Sequence, residues 1–407
     1  MKVVIIGGVA GGATAAARIR RLDEQAEITV FERSGFISYA NCGLPYYIGG
    51  TIEDENELTL QTPEGFWKRF RVKINVHHEV TAIHPESKTV TVKNLENGTV
   101  FTESYDKLLL SPGAKPVKPN FEGSGSERIF TLRTVEDTLK IKRYAEEHQP
   151  KNAVVVGGGF IGIEMAENLC DLGIGVTLAE AADQLMAPFD EDMASFIHAE
   201  VRRNGVNLMI SRFVEGFSDT ECGIDVRLKD APTLHADLVV MAIGVAPETT
   251  LAKDAGLETG VKGSIAVNDR METSVPDIYA VGDAVQIKHF VTGADSLISL
   301  ASPANKQGRI AADNICGGDS RYAGGQGSSV IKLFDMTAAA TGINEKTAKA
   351  LGIAADKVIL SPMSHAGYYP GGKMMTMKVL FEKGTYRLLG AQIVGFAGVD
   401  KRIDVLA

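Results

Sequence analysis

A cysteine flanked by small and polar residues is the first candidate for chemistry in this sequence. Cys42 lies in the segment 38–47, SYANCGLPYY, soon after an apolar run that we predict to be a strand. We expect this segment to begin a helix at the carboxyl edge of a sheet, where ligands bind in such folds. The N–H groups and dipole of a helix N-terminus favour a thiolate. An inert buried thiol is the alternative, but the neighbours of Cys42 favour a reactive one.

The other three cysteines are not predicted to be reactive. Cys170 lies inside an Ala/Leu-rich helix and is expected, like Cys316, to be a structural thiol, while Cys222 lies in a polar turn and receives no role. The spacing of the four cysteines fits neither a zinc site nor a disulfide framework, so we predict no metal site. This pattern favours a reducing cytoplasm.

A glycine-rich turn between an apolar strand and a helix is the second candidate. The segment GGGFIG satisfies the dinucleotide fingerprint through Gly157, Gly159 and Gly162. These glycines permit a tight turn, close approach of a pyrophosphate and close packing of the helix on the strand. Glu180 ends the next strand and would accept a hydrogen bond from a ribose 2′-OH while repelling a 2′-phosphate. We therefore expect NADH rather than NADPH here, with a purely structural turn as the alternative.

The N-terminal segment GGVAGG repeats this pattern 150 positions earlier. Val9 stands where the middle glycine would be, so a phosphate must approach this turn somewhat differently. Glu32 follows Gly12 by 20 residues, a spacing that suits the ribose contact. Two dinucleotide sites in one chain indicate electron transfer from one cofactor to another.

Each glycine turn is predicted to lie inside a strand–helix–strand unit. Strands at 3–6 and 27–32 flank a helix at 13–22, and strands at 153–156 and 175–180 flank a helix that ends near 172. Such units imply parallel sheets. The alternating run at 89–92 indicates antiparallel strands over the first sheet. Gly/Pro-rich crossovers appear near 112–119 and 244–247, and a further buried strand ends at Gly-Asp near 278–283.

The pattern changes after residue 327. Strands are predicted at 329–333, 358–360, 374–381 and 388–394, with a helix at 345–351. Met374, Met375 and Met377 fit a strand core better than a cofactor site. The sequence therefore predicts an α/β chain with two Rossmann-like dinucleotide-binding domains and a C-terminal α+β interface domain.

Composition and charge exclude several classes of protein. The chain has 407 residues, of which 44% are hydrophobic and 23% charged, and this balance indicates two or three globular domains rather than a disordered chain. A net charge of −9 without a basic stripe argues against a nucleic-acid partner. No apolar run approaches the roughly 18–20 residues that cross a bilayer, and we identify no signal peptide. We therefore expect no membrane partner.

Taken together, the segments resemble the flavin-dependent pyridine nucleotide–disulfide oxidoreductases. The resemblance is strongest to the branch that contains coenzyme A-disulfide reductases, NADH oxidases and persulfide reductases. The matching segments span nearly the whole chain: 7–12 with Glu32, 38–47, 111–114, 157–164, 242–244, 276–283, 300–309 and 400–406.

The resemblance implies a domain layout and two cofactors. Residues 1–112 and 271–325 would form a discontinuous FAD-binding domain, and 113–270 would bind NADH, with NADPH as the alternative. Residues 326–407 would form the dimerisation domain of a cytoplasmic homodimer. Relatives continue past the segment 402–406, so we expect this last domain to be incomplete, and a further rhodanese domain is not excluded.

The resemblance also assigns cofactor residues. Phe160 would gate the nicotinamide pocket, and Glu164 would lie beside nicotinamide and flavin; a core ring and a helix-surface carboxylate are the alternatives. The FAD set would be Gly7, Gly8, Val9, Ala10, Gly12, Glu32, Arg33, Val80, Ser111, Gly113, Asp283 and Ala301, where a helix would begin and point at the flavin. The nicotinamide-nucleotide set would be Gly157, Gly159, Phe160, Ile161, Gly162, Glu180 and Gly244.

Two departures from family patterns narrow the chemistry. The two-cysteine reductases carry a second cysteine at the position of Tyr47, so Cys42 must cycle alone through a mixed disulfide, persulfide or sulfenic acid. The NADH peroxidases and many NADH oxidases carry a histidine at the position of Ala10. The absence of this histidine argues against a function in which oxygen or peroxide is reduced.

Coenzyme A is the substrate, or the adduct on Cys42, that the resemblance favours. Its phosphates and pantetheine arm would be held by Arg18, Arg21, Ser38 and Asn41, although two arginines three apart also fit a solvated helix face. Tyr368 would reach the sulfur across the dimer interface as a proton donor, with an interface aromatic as the alternative.

The expected activity is NAD(P)H-dependent reduction of coenzyme A disulfide, or of CoA-linked mixed disulfides and persulfides. A persulfide or polysulfide reductase or an NADH oxidase would use the same site. A flavoprotein that carries electrons to a protein partner is the alternative from another class, and it would need no reactive cysteine.

Overall fold

The computed structural model describes residues 1–407 and contains ten α-helices and twenty-five strands. The helices are α1 (Ala10–Leu22), α2 (Leu44–Ile48), α3 (Pro63–Phe70), α4 (Val135–His148), α5 (Phe160–Asp171), α6 (Glu191–Arg203), α7 (Thr250–Asp254), α8 (Ala301–Ile315), α9 (Glu345–Ala350) and α10 (Val399–Leu406). The strands are β1 (Lys2–Ile6), β2 (Glu27–Phe31), β3 (Lys73–Asn75), β4 (His78–His84), β5 (Thr89–Asn94), β6 (Val100–Ser104), β7 (Lys107–Leu110), β8 (Ala114–Pro116), β9 (Ile129–Phe130), β10 (Asn152–Val156), β11 (Gly175–Ala179), β12 (Asn207–Met209), β13 (Val214–Thr220), β14 (Gly223–Leu228), β15 (Leu234–Ala236), β16 (Leu238–Met241), β17 (Val245–Pro247), β18 (Ile278–Ala280), β19 (Ile287–Lys288), β20 (Asp295–Ser296), β21 (Ser329–Leu333), β22 (Met336–Gly342), β23 (Ala355–Leu360), β24 (Met375–Glu382) and β25 (Leu388–Gly395).

The first parallel sheet has the strand order β18-β7-β1-β2-β3. Its central strand is apolar on both faces, as a sheet covered on both sides requires. Val3 and Ile5 pack with helices α1 and α8 on one face. Val4 and Ile6 pack with the antiparallel sheet β4-β5-β6 on the other face. The predicted antiparallel cover over the first sheet is thus confirmed.

The second parallel sheet has the order β12-β11-β10-β16-β9 and repeats this arrangement. Ala153 and Val155 pack with helices α5 and α6, while Val154 and Val156 pack with the antiparallel sheet β13-β14-β15. The two predicted crossovers meet as the antiparallel pair β8 and β17. The α/β fold with two Rossmann-like units is therefore confirmed, while the bounds 113 and 270 of the second domain remain a prediction.

The C-terminal region is one antiparallel sheet in the order β21-β22-β25-β24-β23. Its predicted strands and the helix α9 are present, with no end shifted by more than three residues. The sequence analysis did not identify strand β22 or helix α10. Met375 and Met377 are buried as predicted, but the prediction for Met374 is wrong, because its side chain is 62% exposed. No helix has the length and apolar character that crossing a membrane would require.

Candidate active site

A cavity of about 410 Å³ lies at the carboxyl end of the first parallel sheet. Its walls come from the first glycine turn, the end of β2, the start of β4 and the segment after β7. Seven of the predicted FAD residues line it, together with Asn41 from the predicted substrate set: Gly7, Val9, Glu32, Arg33, Val80, Ser111 and Gly113.

Glycine is required at both ends of the first turn. Gly7 has φ +97°, and a Cβ at this position would lie 2.1 Å from the carbonyl oxygen of Ser111. A Cβ at Gly12 would lie 1.9 Å from the carbonyl oxygen of Gly7. A side chain is therefore excluded at Gly7 and at Gly12. Helix α1 begins at Ala10, three residues before its predicted start. The N-terminus of α1 can consequently approach a phosphate in the cavity.

Glu32 is fixed in the cavity wall by backbone donors. Its carboxylate accepts hydrogen bonds from the N–H groups of Gly8 at 2.8 Å and Ser34 at 2.9 Å. Burial raises the pKa of Glu32, and these two N–H groups partly oppose that rise. The carboxylate is thus held where the sequence predicts a ribose contact.

The second glycine turn has the same construction. A Cβ at Gly162 would lie 1.9 Å from the carbonyl oxygen of Gly157, and Glu180 accepts hydrogen bonds from the N–H groups of Gly158 and Ala182. A Cβ at Gly159 would meet no atom within 4 Å. Open space therefore faces this turn, where close approach of a pyrophosphate is predicted.

Four other residues of the predicted nucleotide sets lie around these turns. Phe160 and Ile161 start helix α5 and pack partly buried against the core between helix and sheet. Gly244 has φ +112° in the second crossover. Helix α8 begins at Ala301, as predicted.

An arginine of the cavity wall was not predicted from the sequence. Arg133 lines the cavity and its guanidinium donates to Asp283 at 2.8 Å and to the carbonyl oxygen of Ala114 at 3.2 Å. Burial raises the pKa of Asp283, and the charge of Arg133 opposes that rise. No local pattern identifies this ion pair, because its members are 150 residues apart.

Cys42 carries an exposed, free thiol. It lies in the short 3₁₀ helix 41–43, which directly precedes α2. Desolvation by the surrounding protein and the charge of Glu164 raise the pKa of Cys42. The raised pKa is opposite in direction to the predicted effect of a helix N-terminus on the thiolate. Helix α2 has only five residues and a proline in its first turn. Its dipole is therefore weak, and it offers few free N–H groups.

Helix α5, which carries Glu164, packs against α2, and the charge of Glu164 thereby acts on Cys42. Gly49 ends α2, and a Cβ there would lie 2.3 Å from Asn168 Oδ1, so only glycine permits this approach. The Asn168 amide donates to the carbonyl oxygen of Glu164 at 2.8 Å. Burial and the neighbouring Glu167 raise the pKa of Glu164 to about 7. This carboxyl group can exchange a proton near neutral pH beside the thiol.

We expect Glu164→Gln to increase the reactivity of Cys42 above neutral pH. In the wild type the Glu164 carboxylate opposes thiolate formation once the pH exceeds its pKa of about 7. Alkylation of the reduced holoenzyme with iodoacetamide, mapped to Cys42, should be several-fold faster in the variant at pH 8. The two rates should converge at lower pH, where Glu164 is protonated. Glu96→Gln, at an exposed turn, is the control, and identical profiles for Glu164→Gln and wild type would contradict the coupling.

Cys42 makes no hydrogen bond to the remaining predicted residues within one protomer. Tyr368 is 91% exposed. Arg18 pairs with Asp313 at 2.7 Å, and Arg21 on the same helix is exposed. Ser38 has φ +47°, and its N–H donates to the carbonyl oxygen of Gly8 at 2.9 Å. Their contacts with coenzyme A or with a partner subunit stay predictions.

Two glycine-turn nucleotide folds beside one exposed thiol define a dinucleotide-dependent thiol oxidoreductase. The chain belongs to the pyridine nucleotide-disulphide oxidoreductase family, which matches residues 1–308, and the dimerisation domain of that family matches residues 328–407. It is accordingly an FAD-dependent oxidoreductase with a C-terminal dimerisation domain. The cavity, the glycine turn and the fixed carboxylate of Glu32 fit the FAD that this family implies.

Individual relatives are similar over the whole chain. Coenzyme A disulfide reductase of Staphylococcus aureus (strain JH9) is 35% identical over 407 residues, which are 100% of this chain and 91% of the relative. The structure of reduced CoADR-RHD from Bacillus anthracis is 49% identical with a TM-score of 0.98, and the match covers 100% of this chain and 73% of that one. An NAD-dependent persulfide reductase from A. fulgidus is 38% identical with a TM-score of 0.96, covering 100% and 76% of the two chains.

Proposed function

We propose that this chain reduces coenzyme A disulfide, or CoA-linked mixed disulfides and persulfides, with NADH and with Cys42 as its single redox-active thiol. The observation that carries the proposal is the isolation of this thiol. Cys42 is exposed beside Glu164, position 47 is a buried tyrosine, and all four cysteines are free. A lone thiol can exchange with a substrate disulfide but cannot form an intramolecular disulfide at this site. The similarity to an enzyme named coenzyme A disulfide reductase supports coenzyme A as the substrate.

The proposed cycle is a thiol–disulfide exchange followed by reduction. The Cys42 thiolate attacks one sulfur of the substrate, so that a mixed disulfide forms and one thiolate leaves. Two electrons from NADH then cleave the mixed disulfide, which releases the second thiol and restores the Cys42 thiolate. FAD, when bound, supplies the two-electron transfer between nicotinamide and sulfur. In the resting enzyme, coenzyme A can remain on Cys42 as this mixed disulfide.

The chain's own residues bind and orient the groups in this cycle. Glu32, with the turn at 7–12, would hold FAD, and Glu180 would hold the adenosine ribose of NADH and repel a 2′-phosphate. Glu164 would take up and return a proton beside the sulfur. Arg18, Arg21, Ser38 and Asn41 would hold coenzyme A. Because the reaction consumes NADH, we place it in the cytoplasm.

A homodimer is part of the proposal. The outer strand β23 and the loop after it expose large apolar side chains in the dimerisation domain: Val358, Ile359, Leu360, Met363, Tyr368, Tyr369 and Met374. A cluster of this kind supports a subunit interface. Tyr368 would then act as the proton donor at the Cys42 of the other subunit.

The second candidate is a persulfide or polysulfide reductase, which the similarity to the A. fulgidus enzyme favours. It would use the same thiol, with a persulfide in place of the mixed disulfide. Ala10 in the first turn disfavours an NADH oxidase. A flavoprotein that passes electrons to a protein partner would need no reactive thiol, so it would not account for Cys42.

Steady-state kinetics of the holoenzyme with different acceptors test the proposal. We expect coenzyme A disulfide to give the highest kcat/KM among coenzyme A disulfide, polysulfide, hydrogen peroxide and oxygen. NADH should exceed NADPH by at least about tenfold, because Glu180 repels the 2′-phosphate by roughly 1.4 kcal/mol or more. Intact mass under non-reducing conditions tests the resting adduct, which a thiol should remove. A higher kcat/KM for polysulfide would favour the second candidate, and turnover with oxygen alone would reject both.

A further inference from the structure

The antiparallel sheet β13-β14-β15 carries a cysteine, a histidine and an aspartate in contact, remote in sequence from Cys42. Cys222 lies in the turn between β13 and β14, and its side chain is exposed. The register of β14 and β15 places Asp225 opposite His235. His235 Nδ1 lies 2.9 Å from Asp225 Oδ1, and His235 Nε2 lies 3.8 Å from Cys222 Sγ. The imidazole therefore bridges the carboxylate and the thiol.

The backbone leaves room for this contact only because residue 223 is glycine. A Cβ at Gly223 would lie 2.8 Å from both Cε1 and Nε2 of His235, and 2.5 Å from the carbonyl oxygen of Ala236. The ring thus lies against the turn that carries Cys222. With Nδ1–H donating to Asp225, Nε2 is left as the acceptor for the thiol proton. An orienting carboxylate, a base and a thiol in this order are the parts of an activated nucleophile.

His235 also lines a groove of about 260 Å³. The groove lies at the amino ends of the parallel strands β10, β11 and β12, where Asn152, Gly175 and Asn207 line it. The glycine turn 157–162 follows the carboxyl end of β10, at the opposite edge of the same sheet. Cys222 and Asp225 do not line this groove, so a small molecule in it would contact only the imidazole of the three side chains, away from the nucleotide site.

We propose that Cys222, His235 and Asp225 form a second thiol–disulfide exchange site, whose substrate is a small-molecule disulfide. His235 Nε2 accepts the proton of the Cys222 thiol, and the thiolate attacks one sulfur of the disulfide. The bond between Cys222 Sγ and that sulfur forms while the disulfide bond of the small molecule breaks. The leaving thiolate takes the proton from His235. The products are one small thiol and one mixed disulfide on Cys222, and no other oxidant or reductant is consumed.

This exchange is independent of the function proposed for Cys42. It uses no electrons from NADH and no flavin, and a chain with Cys42→Ser keeps all three residues. No sequence pattern indicates this site, because the three residues meet through the register of a sheet. The mixed disulfide would persist until an external thiol removes it.

Mass spectrometry of the Cys42→Ser holoenzyme tests this proposal. The protein is reduced, desalted and exposed to glutathione disulfide at pH 7, and the adduct is mapped by peptide analysis. We expect one glutathione per chain, on Cys222, that dithiothreitol removes. The rate should fall at least about tenfold in His235→Gln, and should also fall in Asp225→Asn, because the base or its orientation is lost. Cys222→Ser should give no adduct.

A histidine on another sheet supplies the matched control. His84 is exposed and contacts only the Thr91 hydroxyl among side chains, at 2.9 Å, so His84→Gln should react at the parent rate. Equal flavin content and equal thermal midpoints show that the variants are folded. The proposal is overturned if His235→Gln and Asp225→Asn both react at the parent rate, or if the adduct maps to Cys170 or Cys316.

Discussion

Replacement of Cys42 by serine is expected to abolish NADH-dependent reduction of coenzyme A disulfide while FAD binding is retained. A serine hydroxyl cannot form the mixed disulfide, so kcat/KM should fall at least about 1000-fold, as for other lost nucleophiles. The FAD cavity is lined by other residues, among them Glu32 and Arg133, and these are unchanged. Flavin absorbance of the purified variant and steady-state turnover with NADH are the two measurements.

A second measurement separates loss of chemistry from loss of folding. NADH should still bleach the bound flavin in Cys42→Ser under anaerobic conditions, because the second nucleotide site does not include the thiol. Cys316→Ser, at a half-buried cysteine of the first domain, is the matched control and should keep wild-type turnover. Disulfide turnover within tenfold of the wild type would show that Cys42 is not the nucleophile.

The two nucleotide folds were predictable because their determinants are local. Gly12 and Gly162 each exclude a side chain against a carbonyl oxygen only five residues earlier. Glu32 and Glu180 each come directly after a strand, β2 or β11, and are held by N–H groups of the glycine turns. Such short-range constraints appear in the sequence as fixed spacings.

The contacts that the sequence could not reveal are long-range. Arg133 meets Asp283 across 150 positions, and His235 meets Asp225 only through the register of two strands. The raised pKa of Cys42 has the same origin, because the burial and the charge of Glu164 depend on how α5 packs against α2. Residue type identified Cys42 as a candidate, but tertiary packing sets its protonation state.

The C-terminal domain shows a further limit of pattern analysis. Strand β22 was missed because three of its seven residues are alanine and it ends in glycine, and both residue types are depleted in strands. It is nevertheless buried between β21 and β25 in the sheet. Met374 fits the apolar pattern of β24 but lies just before the strand begins, with its side chain in solvent.

A buried lysine is one of the contacts between the C-terminal domain and the second nucleotide domain. The Lys378 side chain is 2% exposed, and its Nζ lies 3.0 Å from Asp190 and 2.8 Å from Asp192, with Glu345 also in contact. Burial alone would lower the pKa of Lys378, but hydrogen bonds to the three carboxylates raise it above its ordinary value. Asp190 also accepts a hydrogen bond from Gln392 at 2.7 Å. The cluster therefore depends on the lysine charge.

We expect Lys378→Met to lower the free energy of unfolding by about 3–5 kcal/mol at pH 7, because the buried carboxylate of Asp190 loses its counter-charge. Urea unfolding measures this change. Lys357→Met is the matched control: Lys357 pairs with the same Glu345 at 2.7 Å but is more exposed, so its loss should cost no more than about 1 kcal/mol. Equal midpoints for the two variants would contradict the role of burial.

The pH dependence of the same variant provides the sharper test. Although burial would raise the pKa of Asp190, hydrogen bonds from Gln392 and Lys378 hold this pKa below its ordinary value. Burial would likewise raise the pKa of Glu345, but hydrogen bonds from Lys357 and Lys378 lower it. A depressed carboxyl pKa stabilises the fold above the pKa of the unfolded chain, and this stabilisation is lost as the pH falls through the folded value. The stability difference between wild type and Lys378→Met should therefore be full at pH 7 and shrink below about pH 4. A difference that does not change with pH would mean that Lys378 acts through its packing volume rather than its charge.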